Sequence, residues 1–285
     1  MPFTALRRFL LSPPSCRDPE VLRPAVSGRT VLITGASYGI GEATAYLLAG
    51  AGAEVILLAR SAERLNEVAG RIRHSGGRAH AYALDLYRSE DVAPLLAFIQ
   101  TQHPRIDMVV SNAGKSIRRS VLHSLPGRDL ERSLAVNFSS PAQLVAALLP
   151  GMLARGGGRI VNVSSVAARM PGAPRWASYQ SSKAGFDLWL HGAVTELNTR
   201  GVTAASVYLP LVHTRMSAAT PIYTRLPGLS PLDAAQAVAY ALISGRRRVA
   251  PWWLFWAELG ATLLPGLTHR ALLLSERFTP PDQKR

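Results

Sequence analysis

Thr34-Gly35-Ala36-Ser37-Tyr38-Gly39-Ile40-Gly41 continues the apolar run Thr30-Val31-Leu32-Ile33 and leads directly into a stretch of helical spacing, Ile40 to Ala49. A strand that ends in glycines and hands over to a helix is the pattern of a dinucleotide-binding turn. The glycines permit a tight bend, and backbone N–H groups at the helix start can approach a pyrophosphate closely. Gly35, Ser37, Tyr38, Gly39, Ile40 and Gly41 are the expected contacts. An ordinary strand-to-helix turn uses the same letters, so the decision rests on what surrounds them.

Outward from this turn, short β-rich runs alternate with longer helical ones, which is the signature of a parallel sheet covered on both faces. The expected strands are 30–34, 54–59, 78–84, 108–111, 159–164 and 203–208, and the expected helices include 40–49, 95–102, 133–153 and 179–197. The fold class predicted is α/β, a Rossmann-type doubly wound parallel sheet with helices on both faces. Three segments are expected: a mobile N-terminal arm (1–28), the catalytic domain (29–245) and an apolar C-terminal extension (246–285). That extension holds Arg246-Arg247-Arg248 and Trp252-Trp253-Leu254-Phe255-Trp256, a combination suited to a substrate lid, an oligomer contact or a membrane interface. No run reaches the charge-free length of a spanning helix.

The chain of 285 residues carries 32 basic and 18 acidic side chains, a formal charge of +14. That balance favours anionic partners such as phosphorylated cofactors, coenzyme A or phospholipid head groups. No zinc-ligand spacing, aromatic-basic RNA motif or recognition-helix pattern accompanies it, so neither a metal nor a nucleic acid is expected. The single cysteine, Cys16, precludes an internal disulfide and suggests a reducing compartment; it stands in the leader, badly placed for acyl capture.

Proton chemistry is expected at Tyr179 and Lys183, which stand one helical turn apart in Ser178-Tyr179-Gln180-Ser181-Ser182-Lys183. An ammonium on the same face can lower the pKa of the phenol. Lysine is scarce, occurring only at 115, 183 and 284, so this pair does not come from a lysine-rich surface. The second strand ends Leu57-Leu58-Ala59-Arg60, with no acid to bond the ribose hydroxyls of NAD, whereas Arg60 can pair with a 2′-phosphate. NADP(H) is therefore the expected cofactor. Asp85, after the third strand, can meet an adenine amino group or cap a turn. Asn112-Ala113-Gly114, after the fourth, stand at the ligand-binding edge. Asn137 is an amide in an apolar helix that must find partners, behind Lys183 or at a kink. Lys115, Arg118 and Arg119 place three cations after the fourth strand, suited to coenzyme A phosphates or to a solvated loop.

T-G-x-x-x-G-x-G, N-A-G, the helical Asn and Y-x-x-x-K, in this order over roughly Gly28 to Ile243, resemble the short-chain dehydrogenase/reductase family. The resemblance implies that Tyr179 moves the proton, Lys183 binds the nicotinamide ribose, Ser165 holds the substrate carbonyl, Asn137 completes a water relay and Thr214 joins the cofactor contacts. Ser165 precedes Tyr179 by one residue more than is usual, which implies an insertion in the Pro171 to Arg175 loop. Asn112-Ala113-Gly114-Lys115-Ser116-Ile117-Arg118-Arg119 and Pro210-Leu211-Val212-His213-Thr214-Arg215-Met216 are similar to stretches of bacterial fatty acyl-CoA reductases that form long-chain aldehydes. The implied reaction is NADPH-dependent reduction of a long-chain acyl-CoA, in a cytoplasmic, membrane-peripheral homo-oligomer. The rival readings are an NADP-dependent reductase or dehydrogenase of another hydrophobic ketone, aldehyde or alcohol, and a cofactor-binding regulator without turnover.

Overall fold

The computed structural model describes residues 10–218 and 220–277. Strands β1 (Thr30–Thr34), β2 (Glu54–Ala59), β3 (Arg78–Ala83), β4 (Met108–Ser111), β5 (Gly158–Ser165), β6 (Val202–Leu209) and β7 (Arg248–Val249) form one sheet. Its order is β3-β2-β1-β4-β5-β6-β7, and every adjacent pair is parallel. The helices are α1 (Pro19–Val26), α2 (Gly39–Gly50), α3 (Ala62–His74), α4 (Val92–Gln102), α5 (Val121–Ser124), α6 (Asp129–Leu134), α7 (Ser140–Ala154), α8 (Ala177–Leu197), α9 (Arg215–Ala218), α10 (Pro231–Ile243), α11 (Trp252–Leu263) and α12 (Pro265–Arg277).

Alternation along the strands sends side chains into two separate cores, one on each face. Val31 and Ile33 of β1, with Val55 and Leu57 of β2, pack beneath α1, α2, α3 and α10, against Leu22, Leu48, Leu65 and Val238. Leu32, Ile56 and Leu58 point the other way, onto Leu96 of α4, Leu148 of α7 and Phe186 of α8. All five residues of β1 are buried, as expected for a central parallel strand covered on both sides. The chain turns from one half of the sheet to the other between β1 and β4. A crevice therefore opens at the carboxyl ends of these strands, where open α/β sheets hold their ligands.

Two segments differ from expectation. The N-terminal arm, as far as it is described, is docked: Leu22 and Val26 of α1 enter the core, Cys16 is buried and its N–H donates to the Gln236 carbonyl at 2.9 Å. Apolar spacing at Leu22 and Val26, one turn apart, was the signal for this. The sheet also continues past residue 245, because β7 pairs with β6 through Ser206–Arg248 and Val207–Val249. A two-residue edge strand beginning in an arginine run has no readable periodicity.

The first turn is tightly packed. A Cβ on Gly41 would stand 2.3 Å from the Gly35 carbonyl oxygen and 2.6 Å from Asn112 Nδ2. Gly41→Ala is expected to lower stability by about 1–3 kcal/mol, the usual cost of overpacking, as read from urea unfolding midpoints. Gly50→Ala, in the same helix with open space around it, serves as the mild comparison.

Candidate active site

The glycine turn is assembled by hydrogen bonds from two strands. Gly35 N donates to the Leu58 carbonyl at 2.7 Å, drawing β1 towards the end of β2. Asn112 Nδ2 donates to the Thr34 carbonyl at 2.9 Å, while the backbone N–H groups of Asn112 and Ala113 both donate to Thr34 Oγ1 at 3.0 Å. The end of β4 is thus fastened to the turn. Tyr38 precedes α2 without capping it, so the first N–H groups of that helix have no side-chain partner from the cap position. Thr214 closes the opposite side; a Cβ on Gly39 would lie 3.1 Å from its methyl group. A cavity of about 530 Å³ opens here, lined by Tyr38, Gly39, Thr214, Arg215 and Tyr223.

Lys183, Asn137 and Gly114 converge behind the turn. A Cβ on Gly114 would be 3.2 Å from Asn137 Oδ1 and 3.3 Å from Lys183 Nζ. Asn137 sits in a π turn, Ala135–Ser139, which joins α6 to α7, so that the continuous helix expected here carries one widened turn. Such one-turn widenings are frequent at functional sites. Its amide is fully used: Oδ1 accepts from Lys115 N at 2.7 Å, and Nδ2 donates to the Lys115 carbonyl and to Ser182 Oγ, both at 2.9 Å. Lys183 Nζ donates to the Val163 carbonyl at 3.0 Å.

Ser165 ends β5, its hydroxyl accepts from Ala167 N at 3.2 Å, and it acts on the Tyr179 phenol to lower its pKa. The neighbouring Ser164 hydroxyl is buried and has no partner among the described residues. Between Ser165 and Tyr179 the chain passes through a loop in which Arg175 adopts a left-handed backbone, φ 66°. Trp176 then meets the Tyr179 ring edge-on at 5.5 Å and stacks on Tyr223 at 6.2 Å, linking the phenol to the cavity.

The electrostatics differ from the simple pairing expected. Burial pushes the Tyr179 phenol above its ordinary range, opposed by the hydrogen bond from Ser165, so the expected depression by Lys183 is not the dominant influence. Lys183 itself is pushed down from 10.5 to about 8 by burial, and Asp187 opposes the shift. Asp187 is a residue that the sequence reading missed. It lies one turn beyond Lys183 on α8, buried, and accepts hydrogen bonds from Tyr208 Oη at 2.7 Å, from Asn162 Nδ2 at 3.3 Å and from Ser206 Oγ. Its i+4 spacing from Lys183 was the available signal.

The remaining candidates lie along the rim. Arg60 is exposed at the end of β2, and its charge acts on Lys115. Burial, reinforced by Arg132 and Arg60, pushes Lys115 down. Asp85 accepts from Tyr87 N at 3.1 Å, which makes it a turn residue whatever else it contacts. Arg119 is spoken for: it pairs at 2.7 Å with the buried carboxylate of Asp129, leaving Lys115 and Arg118 of the basic triplet. Arg64, unremarked in the sequence, and Arg215, in the stretch similar to the fatty acyl-CoA reductases, each place a guanidinium 5.0 Å from the Tyr38 ring centroid. At the opposite edge of the sheet Glu54, His80 and His103 bring one donor atom each within 4.8 Å of one another, a set that could hold a metal ion although no ligand spacing marked it.

The short chain dehydrogenase family profile matches residues 29–222. The chain belongs to that family. It is an oxidoreductase of the short-chain dehydrogenase type, and it is 38% identical over 231 residues to a fatty acyl-CoA reductase of Acinetobacter baylyi, covering 81% of this chain and 78% of that one. A fatty acyl-CoA reductase of Mycobacterium tuberculosis is 35% identical over 85% of this chain and 84% of its own. Among solved structures, a metagenomic short-chain oxidoreductase in complex with NADP superposes with a TM-score of 0.68 at 31% identity, covering 80% of this chain and 99% of that one.

The buried lysine carries a pH signature. Between about 8 and 10.5 the folded short-chain dehydrogenase holds fewer protons on Lys183 than the unfolded chain does, so this group's contribution to stability rises with pH across that window and is lost as pH falls through 8. Chemical denaturation from pH 7 to 9.5 is expected to show the rise. Asp187→Asn, by removing the charge that supports the ammonium, moves its lower edge to lower pH.

Proposed function

We propose that this short-chain dehydrogenase is an NADPH-dependent reductase that converts long-chain acyl-CoA to the fatty aldehyde and free coenzyme A. The observation that carries the reading is the convergence of Lys183 and Asn137 on Gly114, with Ser165 acting on the Tyr179 phenol, beside a glycine turn whose backbone leaves no room for a Cβ. Such a cradle suits a pyrophosphate, with Gly35, Ser37, Tyr38, Gly39, Ile40 and Gly41 around it and Asn112, Ala113, Gly114 and Thr214 at its flanks. Arg60, at the end of β2, would meet a 2′-phosphate, and Asp85 would face the adenine. NADP in the metagenomic relative's complex supports the same choice.

When bound, the dinucleotide supplies a hydride to the thioester carbon. Tyr179 gives its proton to the carbonyl oxygen, and Ser165 donates a hydrogen bond that stabilises the negative charge developing there. The resulting hemithioacetal breaks its carbon–sulfur bond as its hydroxyl proton leaves, giving aldehyde and thiol without a covalent enzyme intermediate. Lys183 holds the ribose and supplies the positive charge that a departing phenolic proton requires. Asn137, through the Lys115 backbone and Ser182, fixes the wall behind it. Lys115 and Arg118 are available to coenzyme A phosphates. The fatty acyl-CoA reductases among its relatives favour an acyl thioester over a sterol or simple ketone.

Purified protein, NADPH and palmitoyl-CoA are expected to yield aldehyde and free thiol in equal amounts; NADPH oxidation with ketones but no thiol release from any thioester would refute the substrate. Tyr179→Phe should lower kcat by about 10²–10⁴-fold, the usual contribution of a general acid. Arg60→Ala should reduce the preference for NADPH over NADH by roughly ten-fold, the worth of one charge-assisted pair, and an unchanged ratio removes Arg60 from the 2′-phosphate site.

A further inference from the structure

We propose that the outward face of the α11–α12 hairpin docks on an anionic lipid surface, with the helices lying along the interface. Trp252, Phe255, Trp256, Leu259 and Leu263 recur at helical spacing on one side of α11. Phe255 is 56% and Trp256 61% exposed, whereas Leu254, on the opposite side, is fully buried. In α12, Leu267 and Leu274 are exposed with Arg270 between them on the same face. A contiguous apolar surface of this kind is unusual on a chain that meets only water.

Charge selects the occupant. Residues 246–276 contain two acids, Glu258 and Glu276. Both are turned to the body: Glu258 pairs with Arg169 and Arg248, each at 2.7 Å, and Glu276 pairs with Arg175 at 3.0 Å. The exposed charges that remain, Arg246 and Arg247 in the loop before β7 and Arg270 on α12, are cationic. A face of tryptophan, phenylalanine and leucine that carries Arg270, in a segment whose other exposed charges are arginines, matches head groups of negative charge above acyl chains. A second copy of this chain would instead bring the same cations against themselves. Among the described residues no helix is long and apolar enough to cross a membrane. The 12 residues of α11 span about 18 Å at 1.5 Å per residue, well short of a bilayer core. The same two ion pairs reach Arg169 and Arg175, on the segment between Ser165 and Tyr179, so docking would hold the candidate site against the lipid phase.

Co-sedimentation of the full chain with phosphatidylcholine vesicles, with and without phosphatidylglycerol, tests this without reference to catalysis. Binding is expected to the anionic vesicles, weakened several-fold by raising salt from 0.1 to 0.5 M. Phe255→Ser with Trp256→Ser should lower it by at least roughly ten-fold at an unchanged thermal midpoint. Arg246→Glu with Arg270→Glu should lower binding to anionic vesicles and leave the weaker binding to neutral ones. Wild-type protein that stays in the supernatant, or a Phe255/Trp256 variant that sediments like the wild type, overturns the proposal. So does loss of a dimer, rather than of vesicle binding, in the same variant by light scattering.

Discussion

The architecture hinges on a place where two stretches of backbone come closer than any side chain allows. Gly41, in the first turn of α2, lies under the Gly35 carbonyl, and Asn112 reaches across from β4 to bind the same carbonyl region. Because β1 is buried on both faces, this contact cannot shift without moving the centre of the sheet. Strand, turn and helix are therefore locked in one geometry. The ends of β4 and β5, which carry Asn112 and Ser165, inherit their positions from it through the parallel ladder.

Behind that contact, the two charged groups buried on α8 each find polar partners. Lys183 and Asp187 occupy successive turns of α8; the ammonium finds the Val163 carbonyl, and the carboxylate finds Ser206, Tyr208 and Asn162. An unpartnered charge at this depth would cost several kcal/mol. Tyr208 in turn lies near the guanidinium groups of Arg169 and Arg248, at 5.9 and 5.4 Å, and both of these grip Glu258 of α11. A continuous chain of polar contacts thus runs from the candidate site to the C-terminal hairpin.

Most of this was legible in the letters where periodicity and glycine chemistry speak. β1, β2 and β4 begin and end as expected, because each is a short apolar run bounded by turn residues. The helix expected over 133–153 is widened by the π turn at Asn137, which the letters did not show because the partners that stabilise it, Lys115 and Ser182, are distant in sequence. The docking of Leu22 and Val26, and the short strand β7, depend likewise on surfaces supplied by other elements. The phenol of Tyr179 shows the same limit. Helical spacing places a lysine one turn away, but only the folded surroundings reveal that burial outweighs it. Asp187 was visible as a letter and invisible as a charge, since its three donors lie on two strands.

The loop before Tyr179 bears on how such an enzyme can diversify. Arg175 adopts there a left-handed conformation that costs a non-glycine residue about 1–2 kcal/mol, and its guanidinium is gripped by Glu276 of α12. Loop and tail are accordingly fastened to each other. Trimming the loop would strand a carboxylate and removing the tail would release a strained residue, so a change to one should be tolerated only when the other changes with it.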